Sequence, residues 1–237
     1  MKCRMMFLAV LATTCLSLGW SSTVTAAPIT LDDFSVPNPA NTFNFNSSQT
    51  VTNSGVGDLN ATRTVTLNVI SASSGLSVFS IGGGTTGNLD LNSNSSHIVE
   101  MTLAYTGFTP FSLPSGANIQ LPVQFHDRKA DIKLTIVGSS TQTIVQTVPT
   151  INVGDPIHFA NFVLTSGINN ITDISFSFNY SGSNPNRNGY DIILAGGDQP
   201  VRIFQDVPEP GTLATLGLIG VVGGLALRRR LRKGEVA

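Results

Sequence analysis

From about Ile29 to Asp206, apolar and polar residues alternate one for one in short runs, and no stretch holds a helical period. A strand points successive side chains to opposite faces, so each such run can bury one face only. Val65, Leu67 and Val69 share a face, as do Val99, Met101, Leu103 and Tyr105. Ile119, Leu121, Val123 and Phe125 alternate with Gln120, Pro122 and Gln124, and Pro122 in that run implies an edge strand or a bulge. Ile132, Leu134 and Ile136 follow the same rule, then Ile174, Phe176 and Phe178, with short closing strands over Tyr190–Leu194 and Val201–Phe204. Turn residues separate the runs, as in Gly82-Gly83-Gly84, Leu113-Pro114-Ser115-Gly116 and Val153-Gly154-Asp155-Pro156. About ten strands with one wet and one dry face predict an all-β, antiparallel two-sheet sandwich, jelly-roll-like. Only 11% of residues are charged, against about 25% in ordinary soluble domains. Ser, Thr and Asn take over the polar role, which suits an exported β protein.

The two ends obey different rules. Lys2 and Arg4 precede a mostly apolar run, Met5–Leu18, and Val24-Thr25-Ala26 fits a small-residue cleavage site. Residues 1–26 therefore read as a signal peptide cut between Ala26 and Ala27, which implies signal peptidase and the Sec export machinery as partners. Cys3, Cys15 and Trp20 all lie in this segment. The exported part, 27–206, would then hold no disulfide, thiol nucleophile or thiolate metal site.

At the other end, Thr212–Leu227 is an uncharged run of apolar and small residues. As a helix its sixteen residues would span about 24 Å, a little under a hydrocarbon core of roughly 30 Å. Arg228, Arg229 and Arg230 follow at once, then Arg232 and Lys233. Arginines resist translocation, so this basic tail, 228–233, reads as a stop-transfer flank rather than a nucleic-acid patch. A net charge of −1 likewise gives no electrostatic case for nucleic acid. Gly220 and Gly224, four apart, are either ordinary small residues or a close helix contact. Just before the span, two prolines in Val207-Pro208-Glu209-Pro210-Gly211 hold the chain extended and keep Glu209 accessible.

The ordered set of Pro-Glu-Pro, short apolar span and arginine cluster over 207–233 resembles the PEP-CTERM sorting signal. That resemblance implies recognition of Val207–Gly211 by an exosortase, a membrane-embedded cysteine transpeptidase of Gram-negative bacteria that make exopolysaccharide. It implies a transient inner-membrane anchor at 212–227, then delivery to the cell surface or extracellular matrix. The competing reading is a plain tail anchor that is never cut.

Part of the middle also resembles a passenger type found ahead of such signals. Its marks are Asp32-Asp33-Phe34, a Gly-rich segment at Gly57–Asn60 leading into Arg63-Thr64-Val65, and Asp191 in the final strand. The usual Gly-Gly before the arginine is replaced by Ala61-Thr62. The resemblance implies a β fold and no activity.

Catalytic patterns are hard to assemble. His126, Asp127 and Asp131 could form a metal or acid/base cluster, but Gln124–Lys129 reads better as a strand end entering a turn. His97 and His158 are expected on exposed strand positions. No Gly-x-Ser-x-Gly elbow or phosphate loop occurs. Asp90-Leu91-Asn92-Ser93-Asn94 opens like a calcium-binding EF-hand loop, but Ser95 and Met101 stand where Gly and Glu are needed. A Ca²⁺ site between Asp32 or Asp33 and Asp191 would need the first and last strands to pair; otherwise no cofactor is expected. The expectation is a non-enzymatic surface or matrix protein associated with exopolysaccharide. The alternatives are a polysaccharide-acting enzyme on a jelly-roll fold and a carbohydrate-binding module. An enzyme would need a carboxylate pair about 5 to 10 Å apart. A binding module would have to use Tyr105, Tyr180, Tyr190 or phenylalanines, the only tryptophan being Trp20.

Overall fold

A computed structural model describes residues 27–37, 42–71, 76–82, 87–182 and 187–205. The segments 1–26 and 207–233 lie outside these residues. Residues 26–206 form a compact unit, and the described residues hold strands and no helix.

The strands are β1 (Ile29–Asp32), β2 (Thr42–Phe45), β3 (Gln49–Val56), β4 (Ala61–Ser71), β5 (Ser77–Ile81), β6 (Leu89–Asn92), β7 (Ile98–Thr106) and β8 (Phe111–Leu113). They continue as β9 (Asn118–His126), β10 (Ala130–Val137), β11 (Thr141–Val148), β12 (His158–Val163), β13 (Ile168–Ile171), β14 (Asp173–Phe178), β15 (Asp191–Leu194) and β16 (Val201–Phe204). The larger sheet runs β1-β16-β9-β15-β6-β5-β2, with β12 also paired to β9; the other runs β11-β10-β14-β7-β4-β3. A small ribbon joins β13 to β8. Every pairing is antiparallel, and the chain passes repeatedly between the two sheets. The expected sandwich is therefore present, with more strands than the ten anticipated. Strands of three to five residues, such as β2, β6 and β8, are too short for alternation to declare them. In β11, Thr-Gln-Thr-Ile-Val-Gln-Thr-Val, one phase is Thr141, Thr143, Val145 and Thr147 and the other Gln142, Ile144, Gln146 and Val148, so neither phase is mainly apolar.

The alternation governs the core. Val65, Leu67, Val99, Met101, Leu103, Ile132, Leu134, Ile136, Ile174, Phe176 and Phe178 are all fully buried between the sheets. Turn positions carry the residues they require. At Gly57 (φ 62°) a Cβ would lie 2.2 Å from the Leu31 carbonyl oxygen, so only glycine lets this turn approach β1.

β9 decides between the two readings that Pro122 left open, an edge strand or a bulge, in favour of the bulge. It lies inside its sheet, with β12 along Asn118–Val123 on one side and β16 and β15 end to end on the other. Pro122 sits at the junction of β16 and β15, where Ala195 N–H donates to its carbonyl at 3.1 Å. The N–H that proline lacks would point the same way, so the gap between two partner strands absorbs the loss. One residue on, Phe125 and Val123 face Ile193 and Leu194, leaving Gln124 as an extra residue in β9. This bulge reverses the phase of the strand. Phe125, expected in the core, is half-buried, and His126 takes the inward position.

Candidate functional site

Three polar constellations stand out. In the first, Asp32 at the end of β1 is fully buried and faces Arg63 of β4, also fully buried. Arg63 Nη1 donates to both carboxylate oxygens, at 3.1 and 2.9 Å. Tyr105 Oη donates to Oδ2 at 3.0 Å and the Phe34 N–H to Oδ1 at 2.8 Å. Arg63 Nη2 donates to Asn53 Oδ1 and to the Val36 carbonyl, and its guanidinium lies 5.8 Å from the centre of the Phe34 ring. Phe34 itself has φ 54°, a conformation bulky residues rarely adopt. Burial pushes the Asp32 carboxyl up, while Arg63, the Phe34 N–H and the Tyr105 hydroxyl oppose it. Burial and the Asp32 charge together raise the Tyr105 hydroxyl well above its usual range. The cluster ties β1 in one sheet to β4 and β7 in the other and is closed to solvent, so it holds the fold and meets no substrate.

The second constellation follows from the bulge. His126 is fully buried; Nδ1 lies 3.1 Å from the Pro149 carbonyl and Nε2 lies 3.0 Å from Tyr190 Oη. A carbonyl can only accept, so Nδ1 carries the proton and neutral Nε2 accepts from the tyrosine. Burial first, with Arg128 and His158 adding, holds His126 below its ordinary range against the Pro149 bond and Asp127. Burial pushes the fully enclosed Tyr190 hydroxyl up. Beyond the strand end, Arg128 Nε donates to both Asp127 oxygens, at 3.1 and 3.0 Å, and its Nη atoms donate to the Asn188 and Gly189 carbonyls. Asp131 instead accepts from Thr147 Oγ1 at 2.6 Å. His126, Asp127 and Asp131 thus do not converge; Gln124–Lys129 is a strand end entering a turn, as its sequence reads.

The other histidines correct a simpler expectation. His97 is not an exposed strand residue: it is fully buried in the turn before β7, with Nδ1 2.8 Å from Ser77 Oγ. His158, inside β12, is half-buried. Both read as exposed because neither flanking sequence shows what packs over them.

The calcium candidates are not brought together. β1 pairs with β16, not with the strand that holds Asp191. Asp191 opens β15, the penultimate strand, and accepts from Ser93 N–H at 2.7 Å. The Asp33 carbonyl meets Gly197 N–H, past the other end of β15, and its carboxylate accepts from Ser35 N–H at 3.0 Å and Ser35 Oγ at 2.6 Å. Burial, with Asp127 and Asp90 nearby, raises Asp191, opposed by the Ser93 N–H and Arg128. Among the described residues no three His, Cys, Asp or Glu side chains are grouped to hold a metal. Asp90–Asn92, the opening of the EF-hand-like run, is strand β6 rather than a loop.

The third constellation is open. A depression of about 350 Å³ on the outer face of the six-stranded sheet is lined by Ser48, Gln49, Thr50, Thr66, Asn68, Glu100 and Thr102. Arg187 pairs with Glu100, and Ser48 Oγ donates to Asn68 Oδ1 at 3.0 Å. Sequence inspection missed it because the lining comes from three strands brought side by side only by pairing. The aromatic platform does not materialise where expected. Tyr105 and Tyr190 are core residues, Tyr180 is half-buried beneath Lys133, and the large exposed apolar residues among those described are aliphatic.

No curated protein matches the chain. Among solved structures, one similar to it is described as an exo-beta-agarase, at 14% identity and a TM-score of 0.37. The match covers 76% of this chain but 25% of that one, so the chain spans about a quarter of its length. A family 11 carbohydrate-binding module from Clostridium thermocellum, in complex with a beta-1,3-1,4-mixed-linked tetrasaccharide, is similar at 11% identity and a TM-score of 0.34, over 76% of this chain and 97% of that one. A family 29 carbohydrate-binding module is similar at 11% identity and a TM-score of 0.33, over 70% and 97%. Such low scores carry no argument about what this chain binds. The sorting signal is different in kind, because its parts lie in order along the sequence itself. Residues 206–230 match the PEP-CTERM protein-sorting motif, and the chain is an exported protein that carries this signal for exosortase processing.

Proposed function

We propose that the β-sandwich is a non-enzymatic cell-surface or extracellular-matrix protein that associates with exopolysaccharide once its sorting signal has been processed. The observation that carries the reading is the motif at 206–230. In this reading the signal peptide is cut between Ala26 and Ala27 after Sec export. Thr212–Leu227 then sits transiently in the inner membrane, held by Arg228, Arg229 and Arg230, while Glu209 is presented between two prolines. A non-catalytic passenger is supported by the two buried polar clusters, whose titratable groups are spent on one another and out of reach of substrate. No metal is required for this role.

An epitope placed before Val207 tests the reading in hosts with and without an exosortase. Replacing Pro208, Glu209 and Pro210 by alanine leaves the apolar span and the arginines intact, so insertion is retained and full-length protein accumulates in the inner membrane. A wild-type chain that stays membrane-bound at full length in both hosts overturns the reading in favour of a plain tail anchor.

A carbohydrate-binding role is favoured by one observation, the polar depression beside Glu100. Its hydroxyl and amide lining offers both donors and acceptors to a neutral sugar. A glycan array with and without Ca²⁺ separates this role from a purely architectural one.

A further inference from the structure

The edges of the two sheets are not guarded alike. An edge strand exposes unpaired backbone N–H and C=O groups, and proteins blunt such edges with bulges, charges, proline or shortness. In the six-stranded sheet, edge strand β3 is broken by a register shift between Asn53 and Val56. In the larger sheet, β1 has a shift between Thr30 and Asp32 and β2 has four residues, while β12 pairs its six residues with β9 without a shift. The longer of the two unbroken edges is β11. All eight of its residues pair with β10 without a shift. Thr141–Val148 contains no charge, no proline and no glycine, and it is rich in β-branched residues. It offers a regular edge of about 26 Å.

Its sequence also has a symmetry that the fold does not demand. Read in either direction from Ile144, β11 is almost the same: Thr143 stands opposite Val145, Gln142 opposite Gln146, and Thr141 opposite Thr147. An antiparallel strand facing a second copy of itself about a two-fold axis makes these very pairs. Gln142 would meet Gln146, Ile144 its own copy and Thr141 Thr147, each an apposition of like size, although Gln142 Nε2 already donates to Thr165 Oγ1 at 2.8 Å and Ser166 Oγ at 3.0 Å and Thr147 Oγ1 to Asp131 at 2.6 Å within one copy. With no charged residue in the strand, self-apposition brings no like charges together. The outward phase fits as well: Val145 is 48% exposed, and among the described residues no strand pairs with β11 on the side away from β10.

The geometry points to β11 as a homodimer interface, in which two copies of this chain join their six-stranded sheets edge to edge, antiparallel, in register about Ile144. The occupant is a second copy rather than a foreign strand because the near-palindrome serves self-pairing alone. This inference is independent of the glycan and matrix readings above.

Site-specific cross-linking tests it in the full chain. Two copies carrying C3S and C15S, one with T143C and the other with V145C under a second tag, are co-expressed and oxidised. The proposed register places these positions opposite one another, so the mixed pair should form a disulfide-linked heterodimer several-fold more efficiently than T143C with T143C. Equal yields from the two combinations, or no cross-link in either, overturn the proposal. As a second readout, V145K puts two lysines beside the axis on an exposed position. In detergent-solubilised full-length chain it should weaken dimerisation at least tenfold in sedimentation, with circular dichroism unchanged. A dimer that persists in V145K, as one held by Gly220 and Gly224 would, overturns the proposal, as does a wild-type chain that stays monomeric at every concentration.

Discussion

Asp32–Arg63 and Glu100–Arg187 are both carboxylate–guanidinium pairs that join segments far apart in the chain, yet they sit in opposite surroundings. Both side chains of the first are fully buried; those of the second, Arg187 and Glu100, are 15% and 27% exposed. In the interior each charge has lost its water, and its partner and neighbouring hydrogen bonds must replace it. At the rim, water and salt share that work. Similar chemistry therefore gives one pair that is costly to break and another that is nearly dispensable.

The sharpest way to break the comparison is Arg63→Met. It strands the Asp32 carboxylate in the core and should destabilise the passenger by about 3–5 kcal/mol in urea unfolding. Adding Asp32→Leu should recover most of that loss, because the cost lies in the orphaned charge rather than in a missing attraction. A double variant as unstable as the single one would show that the network itself carries the stability.

An intermediate effect belongs to His126, a buried group kept neutral. Its folded pKa is lowered, so the unfolded chain binds more protons as pH falls below about 6.5, the ordinary histidine value. Its share of stability is full above that pH and is lost on acidification towards the lowered folded pKa, at up to about 1.4 kcal/mol per pH unit. Unfolding measured from pH 7.5 to 5 should show this slope, and His126→Gln should flatten it. An unchanged slope in the variant would assign the acid sensitivity elsewhere.

The smallest effect completes the contrast. Glu100→Gln should cost under about 1 kcal/mol, and the difference from wild type should shrink further in high salt. A loss comparable to that of Arg63→Met would mean that the rim pair is far better shielded than its exposure implies.

What could be read from the sequence divides along the same line. Alternation located β4, β7, β9, β10 and β14, because one dry face leaves a local mark every two residues; it missed β3 and β11, eight residues each, whose runs are mostly Thr, Gln and other polar residues. It could not locate the Asp32–Arg63 pair. Both residues lie in motifs that resemble those of a known passenger type, but their union depends on β1 and β4 packing from opposite sheets, 31 residues apart. Phe125 was misplaced for another reason. Pro122 signalled a bulge in its run, but not that the extra residue would fall at Gln124 and reverse the strand's phase beyond it. The polar depression is assembled from β3, β4 and β7 by pairing and was equally hidden. The sorting signal, by contrast, is entirely linear and was legible in full, although its residues lie outside those the structure describes.

The position of β16 has a mechanical consequence. It is the last described strand, ending at Phe204, two residues before the sorting motif begins. It is hydrogen-bonded on both sides, to β1 and to β9. Tension applied through the tail during export or anchoring would load this strand first, and extracting it requires two ladders to yield rather than one. β1 is in turn locked to the opposite sheet by Asp32 and Arg63. Load entering where the chain runs on into the sorting motif would thereby pass from β16 through β1 to the opposite sheet.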